Sequence, residues 1–188
     1  MMDDTQLRSP LLAMLLVFLA AFSLSACVTN RTFGEGVDDS AADIGLGARL
    51  LTDRSHDFSD VDVTVFEGRV LVTGTVRTEA ARLALTDKAS RMNLVSEVLN
   101  EVVVGGRTSV GQGARDALID QRLGTAIVAD NGIYSGNYKF SVSGGTVYLL
   151  GVAQGPDELS RVTGHAQSID SVSNVVSHVI FVGDPRRK

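Results

Sequence analysis

The sequence has little of what many functional classes need: it contains no tryptophan, one cysteine and three prolines, and its aromatic content is only 5%. With so few aromatic side chains it lacks the stacking platforms on which single-stranded nucleic acid is bound. Its net charge of −5 over 188 residues excludes general nucleic-acid binding, which needs a basic excess. A single cysteine cannot form an internal disulfide, so the core has to be built from packed Val, Leu, Ile and Ala.

The sequence also lacks the patterns that mark catalytic and metal sites. None of the three histidines, His56, His165 and His178, stands in a metal-ligand spacing such as HExxH. There is no P-loop and no GxSxG nucleophile elbow, and the glycine pairs fail the dinucleotide-binding pattern at its third glycine. We therefore expect a protein that is not an enzyme and that has neither a cofactor nor a metal site.

The N-terminus carries a targeting segment. An unbroken apolar run, Leu11–Phe22, is followed shortly by Leu24-Ser25-Ala26-Cys27. A run this short is typical of a signal-peptide h-region rather than of the ~20 apolar residues that span a bilayer. The four residues at its end resemble the lipobox of bacterial lipoproteins, in which the cysteine is acylated. We expect a signal peptide over residues 1–26 and lipidation of Cys27. An uncleaved transmembrane anchor and a buried core thiol are the alternatives.

The rest of the chain contains an internal repeat. A shift of 77 positions aligns residues 61–104 with residues 138–181 without a gap. The identities fall on apolar residues and on glycines at turn positions, which makes chance a poor explanation. They include the pairs Val65/Val142, Gly68/Gly145, Val70/Val147, Gly74/Gly151, Ala89/Ala166, Val95/Val172, Val98/Val175 and Val102/Val179.

Both units predict the same order of elements: helix, strand, strand, helix, strand. Alternating apolar residues on either side of Glu67-Gly68 and of Gly144-Gly145 predict two hairpins with two-residue turns. Apolar residues at helical spacing predict a helix after each hairpin and an amphipathic helix before each, at about residues 39–52 and 114–129. The last strands are predicted at residues 98–104 and 175–182.

Two segments of the first unit, Val63–Val76 and Val95–Val103, together with their counterparts Phe140–Val152 and Val172–Ile180, resemble the BON domain of bacterial envelope proteins. The resemblance implies an α+β fold: two tandem αββαβ domains, each with two helices packed on a three-stranded mixed sheet. The predicted boundaries are 1–26 for the signal peptide, 27–37 for a linker from the lipidated cysteine, 38–105 for the first domain, 106–113 for a Gly-rich connector, 114–183 for the second domain and 184–188 for a basic tail.

The resemblance also implies a function without catalysis. BON lipoproteins support envelope integrity, and in such a relative the first helix of the second domain contacts anionic phospholipid. The matching residues here are Arg115, Ile119, Arg122, Leu123 and Ile127. The expected partners are the membrane through Cys27, anionic phospholipids and envelope proteins. The alternatives are that the three apolar residues face the core, and that the chain is a purely protein-binding adaptor of a secretion or outer-membrane assembly complex. A periplasmic chaperone-like role is a weaker alternative, because a permanent tether limits reach.

The net charge of each unit and the residue that follows Cys27 indicate which unit can approach anionic lipid and which membrane holds the anchor. Residues 28–104 carry a net charge of −5 and residues 105–188 a net charge of +1, so anionic lipid repels the first unit and tolerates the second. Val28 is not the Asp that, in the lipoproteins this motif resembles, retains them in the inner membrane. We expect a periplasm-facing anchor in the outer membrane, with the inner membrane as the alternative. The tail, residues 186–188, either adds contact with anionic lipid or is a solvated end.

Overall fold

A computed structural model describes Gly45, residues 55–93 and residues 95–187. The predicted signal peptide, Cys27 and the linker lie outside the described residues, and so does the first predicted helix except for Gly45. In the first unit the elements are β1 (Val61–Phe66), β2 (Arg69–Val76), α1 (Glu79–Ser90), β3 (Glu97–Asn100) and β4 (Val103–Val104). In the second they are α2 (Val110–Ala129), a 3-10 turn (Ser135–Asn137), β5 (Tyr138–Ser143), β6 (Thr146–Ala153), α3 (Pro156–Gln167) and β7 (Asn174–Phe181).

Each unit is built on an antiparallel hairpin with a two-residue turn. Val65 faces Val70 in the first hairpin, and Val142 faces Val147 in the second, which are the registers that the alternation predicts. A third strand then pairs in parallel with the second strand of the hairpin: β3 and β4 with β2, and β7 with β6. Each sheet is therefore mixed, and the predicted α+β fold of two tandem units is confirmed.

Helix α2 begins earlier than the predicted residue 114. Ser109 is its N-cap, and the Ser109 hydroxyl accepts a hydrogen bond from the Gln112 backbone N–H at 3.2 Å. This cap satisfies one of the free N–H groups at the helix start. The glycines at 111 and 113 are consequently helical, although they weaken a sequence-based helix prediction.

The last strand of the first unit is interrupted between β3 and β4, where the repeat predicts one continuous strand. The Asn100 side-chain amide donates to the Arg82 carbonyl and to the Thr86 hydroxyl on α1, both at 2.8 Å. The Asn100 side-chain oxygen accepts from the Val102 N–H at 3.2 Å. These bonds hold Asn100 against α1 at the interruption, whereas the second unit has Ser177 there and β7 is continuous.

Each unit has its own apolar core, which lies between the sheet and α1 in the first unit and between the sheet, α2 and α3 in the second. Val65, Val70, Val72, Leu85 and Ala89 lie in the first core. The second core contains the matching Val147, Leu149 and Ala166, together with the apolar face of α2.

A third apolar cluster lies between the two units, where the faces of the two sheets that do not carry helices pack on each other. We call it the inter-unit cluster; it consists of Phe66, Leu71, Tyr148, Leu150, Val152 and Ile180. Neighbouring residues on β2 therefore point into different cores, Leu71 into this cluster and Val70 and Val72 into the first core. Because both faces of each sheet are covered, nearly all of β2 and β6 is buried.

The two units meet through equivalent elements. Strand β1 packs on β5, and the crossed pairs β2 with β5 and β1 with β6 are both in contact. Glu101 and His178 are equivalent positions in the repeat, and they bond to each other, with 2.8 Å between Glu101 Oε1 and His178 Nε2. The arrangement is therefore an approximate two-fold one. Further polar links join Arg69 to the His178 carbonyl at 2.7 Å and Thr73 to the Ser141 hydroxyl at 2.8 Å.

Candidate functional site

Helix α2 carries the residues predicted to contact lipid, and its two faces differ in burial. Ile119, Leu123 and Ile127 are 1%, 0% and 3% exposed and pack in the core of the second unit. Their spacing of four residues puts them on one helix face. The structure therefore corrects the prediction for these three side chains: they hold α2 on its sheet and do not reach a membrane surface.

An adjacent face of α2, about 100° around the helix from the core face, is open to solvent and holds the other two predicted residues. Arg115 and Arg122 are exposed, and Leu118, which sequence analysis did not select, is 53% exposed between them. At 100° per residue these three positions lie within about one-sixth of the helix circumference. Together Arg115, Leu118 and Arg122 form what we call the outer face of α2.

Leu118 was missed because it is next to Ile119 in an apolar pair, and only one of the two can face the core. The signal that identifies it is spacing: Leu118 is one position out of the Ile119, Leu123, Ile127 series and in phase with the two arginines. Val110 and Val128, at the ends of α2, are also exposed.

In the sequence, the acidic residues of α2 argue against contact with anionic lipid. The structure shows where their side chains lie. Asp116 is buried and accepts the backbone N–H groups of Gly144 and Gly145, each at 2.9 Å. Its carboxylate therefore caps the turn of the β5–β6 hairpin. Asp130, just past the helix end, accepts from Gly132 N–H and lies 2.8 Å from His165 Nε2. Those bonds lower the pKa of Asp130 below its usual value.

Asp120 lines a cavity between the two units. The cavity has a volume of about 420 Å³, and the lining side chains include Asp62 from the first unit and Ser141 from the second. The Ser141 hydroxyl donates to Asp62 at 2.9 Å. Partial burial, with the nearby charge of Asp62, raises the pKa of Asp120. No acidic side chain therefore lies between the two arginines on the outer face of α2.

The basic tail folds back on the protein instead of ending in solvent. Arg187 donates to both carboxylate oxygens of Glu67 in the first unit, at 2.9 and 2.7 Å. Arg186 binds the local Asp184. Lys188 lies outside the described residues. In this structure Arg187 has an intramolecular partner, so it is not part of a lipid-binding surface.

In the part of the chain that the structure describes, no group of three or more His, Cys, Asp or Glu side chains is placed to hold a metal ion. Among the described helices, none combines the length and the apolar character that crossing a membrane requires.

Residues 38–106 and residues 115–183 each match the BON domain. The chain belongs to the BON family. The two matches coincide with the two units of the repeat, so the family expected from the sequence is confirmed.

Three BON-like relatives are similar over most of the chain. An uncharacterized protein from the gshII 5′ region of Anaplasma centrale is 37% identical over 144 residues, which is 76% of this chain and 94% of the relative. The 21 kDa hemolysin of Actinobacillus pleuropneumoniae is 25% identical, over 82% of this chain and 80% of the relative. The outer membrane lipoprotein DolP of Haemophilus influenzae is 24% identical, over 70% of this chain and 68% of the relative.

Among solved structures, the C-terminal domain of CdsD, a structural protein of the type III secretion system of Chlamydia trachomatis, matches with 18% identity and a TM-score of 0.32. The match covers 77% of this chain and 67% of that chain. No functional conclusion is drawn from it.

Proposed function

We propose that this BON protein is a non-enzymatic lipoprotein of the bacterial envelope that is tethered through Cys27 and supports envelope integrity. In this proposal its second unit binds anionic phospholipid through the outer face of α2. The observation that carries the proposal is the pair Arg115 and Arg122 with Leu118 exposed between them. Similarity to an outer membrane lipoprotein supports the place in the envelope.

The chemistry of the outer face suits a lipid headgroup layer. A guanidinium group presents a rigid fork of donors that matches phosphate oxygens. Each basic residue close to an anionic surface contributes about 1 kcal/mol. Leu118 supplies an apolar side chain that can enter the boundary between headgroups and acyl chains. Among the described residues Arg122 forms no hydrogen bond or ion pair, and Arg115 bonds only to the neighbouring Gln112, so both guanidinium groups are accessible.

In this proposal the lipid tether at Cys27 and the outer face of α2 have different roles. Acyl chains on Cys27 give stable attachment, because each buried CH₂ group contributes about 0.8 kcal/mol. The outer face of α2 then supplies selectivity for anionic headgroups at a site that is already held near the membrane. In this arrangement a weak protein–lipid contact is sufficient, because the tether raises the effective concentration.

The lipid contact is tested with residues 28–188, which contain both BON matches and lack the apolar leader. Binding to phosphatidylglycerol vesicles is measured by flotation and compared with phosphatidylcholine vesicles. The double substitution Arg115→Gln with Arg122→Gln should weaken binding to the anionic vesicles by roughly 10- to 30-fold. A matched control, Arg82→Gln with Arg91→Gln, removes two arginines of the first unit, one in α1 and one at its C-cap, and should leave binding unchanged.

Two results would contradict the proposed lipid contact. If the parent fragment does not bind anionic vesicles at low salt, or if both double variants lose binding equally, the lipid contact of α2 is wrong. A photo-crosslinking residue at position 118 then tests the adaptor alternative, because capture of a protein and no lipid would favour it.

The tether is tested separately, by mass spectrometry of the mature protein and by fractionation of cells that carry either the parent or Cys27→Ala. We expect an acylated N-terminal Cys27 and an outer-membrane location for the parent, and loss of membrane attachment for Cys27→Ala. Val28 after the cysteine is the feature behind the outer-membrane expectation. A parent found in the inner membrane would reverse that placement, and one found soluble would exclude the tether.

A further inference from the structure

The C-terminal arm, residues 182–187, leaves β7 and ends on the first unit. The Val182 N–H donates to the Ala153 carbonyl, and the Asp184 and Arg187 N–H groups donate to Phe181 and Asp184 carbonyls, all within 3.1 Å. These bonds fold the arm into consecutive turns. The Arg187 guanidinium then reaches Glu67 at the tip of the β1–β2 hairpin, 120 residues away in sequence.

The pair between Arg187 and Glu67 is more buried than the other ion pairs of the arm. The Glu67 side chain is 3% exposed and that of Arg187 is 17% exposed. Two parallel hydrogen bonds connect the guanidinium to the two carboxylate oxygens. Such two-point pairs are among the stronger polar contacts, and removing one partner of a buried pair is destabilising.

Comparison of the two units shows that Glu67 is not required by its own turn. Glu67 has a φ of 49°, a left-handed conformation that disfavours residues with a Cβ. The equivalent position in the second unit is Gly144, with a φ of 61° and open space around its α-carbon. The hairpin turn would therefore be less strained with glycine, and what Glu67 adds is the carboxylate that Arg187 binds.

The arm lies beside the inter-unit cluster. Phe66 belongs to the cluster and immediately precedes Glu67, and Ile180 belongs to it and lies two residues before the arm begins. Contact between Arg187 and Glu67 therefore joins the two edges of the same apolar interface.

We infer that the C-terminal arm is a latch, in which Arg187 seated on Glu67 fixes the second unit on the first and keeps the inter-unit cluster closed. The inference is independent of lipid binding. It makes the last residues of the chain a conformational device rather than a solvated end. Loss of the latch opens the interface between the units while each unit keeps its own core.

The test uses a buried thiol as a reporter of opening, in the full chain with Cys27→Ala so that the introduced cysteine is the only one. Val152→Cys places the reporter in the inter-unit cluster, and Val162→Cys places it in the core of the second unit; both valines are at most 1% exposed. The rate of thiol labelling under native conditions measures how often each site opens.

Arg187→Gln should raise the labelling rate of the Val152→Cys reporter by about 10-fold or more, because a buried two-point pair is lost, and should leave the Val162→Cys reporter unchanged. Arg186→Gln is the matched control on the same arm. Its side chain is 54% exposed and lies 2.8 Å from the local Asp184, with Glu97 of the first unit at 3.8 Å. We expect it to change neither reporter by more than about 2-fold.

Glu67→Gly separates the latch from the turn. Glycine relieves the left-handed backbone, so the hairpin itself is not weakened, yet the Val152→Cys reporter should label as fast as in Arg187→Gln. Combining the two substitutions should give no further increase. The latch is excluded if Arg187→Gln behaves like Arg186→Gln, if the two substitutions add, or if both reporters accelerate together.

Discussion

At the scale of single residues, two glycines that match in the repeat hold the same close approach in both units. A Cβ built on Gly74 would lie 1.9 Å from the Asp60 carbonyl oxygen, and one on Gly151 would lie 2.2 Å from the Asn137 carbonyl oxygen. Both residues have positive φ, 107° and 151°. The second strand of each hairpin therefore passes directly against the loop that precedes the first strand, and only glycine fits there.

Gly74→Ala and Gly151→Ala should each lower the free energy of unfolding by roughly 2–4 kcal/mol, from strained backbone and steric overlap. Gly164→Ala is the matched control. It lies within α3 with open space around its α-carbon, so alanine there should raise stability by about 0.5–1 kcal/mol. Urea denaturation of the three variants measures the differences. A neutral result at positions 74 and 151 would contradict the close approach.

At the scale of elements, the two faces of α2 are under different structural constraints. The core face is fixed by Ile119, Leu123 and Ile127 and by the buried carboxylate of Asp116 on the β5–β6 turn. The side chains of the outer face are exposed and are not part of the core. A helix arranged in this way can change its solvent-facing residues without loss of fold.

Adjacent residues on α2 should therefore respond in opposite ways. Leu118→Ala should change the free energy of unfolding by less than about 0.5 kcal/mol, whereas Ile119→Ala should lower it by about 2–5 kcal/mol through loss of buried volume. Chemical denaturation checks both. In the vesicle assay Leu118→Ala should still weaken binding, since it removes the apolar side chain between the two arginines. Equal destabilisation by the two substitutions would show that the assignment of faces is wrong.

The elements also show how far sequence could predict this protein. The hairpin registers were predictable, because Val65 and Val70, like Val142 and Val147, alternate around turn residues. The start of α2 was missed because glycines at 111 and 113 conceal a helix that the Ser109 cap begins. The break between β3 and β4 depends on where the Asn100 side chain finds partners on α1, and a linear pattern does not contain that information.

At the scale of the whole molecule, the packing of two sheets into one body was not predictable from the sequence. Strands β2 and β6 read as apolar on both faces, and that pattern is equally typical of a strand covered by helices on both sides. Of the five residues predicted to contact lipid, the two arginines are exposed and the three apolar ones belong to the core. Leu118 was within reach of the sequence, because its spacing puts it in phase with the two arginines, and the folded helix shows that it is exposed.

One carboxylate of the C-terminal arm, Asp184, is expected to make the stability of the protein depend on pH. Hydrogen bonds from the Arg186 side chain and backbone lower the pKa of Asp184 to about 2 from an ordinary 3.8. Because the folded-state pKa is depressed, its contribution is present above pH 3.8 and is lost as the pH falls through about 2. The urea midpoint of Asp184→Asn should therefore lie below that of the parent at neutral pH, and the difference should close in strong acid.

Other carboxylates also have lowered pKa values, such as Asp57, Glu79 and Asp130. They are present in both the parent and Asp184→Asn, so their contributions to the pH dependence cancel in the difference. Urea titrations at a series of pH values between neutral and strong acid provide the measurement. A difference between parent and Asp184→Asn that stays constant with pH would mean that Asp184 does not contribute through its charge.

The hydrogen bond between Glu101 and His178 joins equivalent positions of the repeat, and such a pair requires that the two units have different sequences. In a homodimer with the same two-fold arrangement, a residue beside the axis meets its own copy, so a glutamate there would face a glutamate and the two carboxylates would repel. Covalent duplication within one chain removes that restriction, because the two copies can mutate separately. Glu101 and His178 are an example: at equivalent positions one unit has a hydrogen-bond acceptor and the other a donor. The contact near the two-fold axis is therefore complementary instead of repulsive.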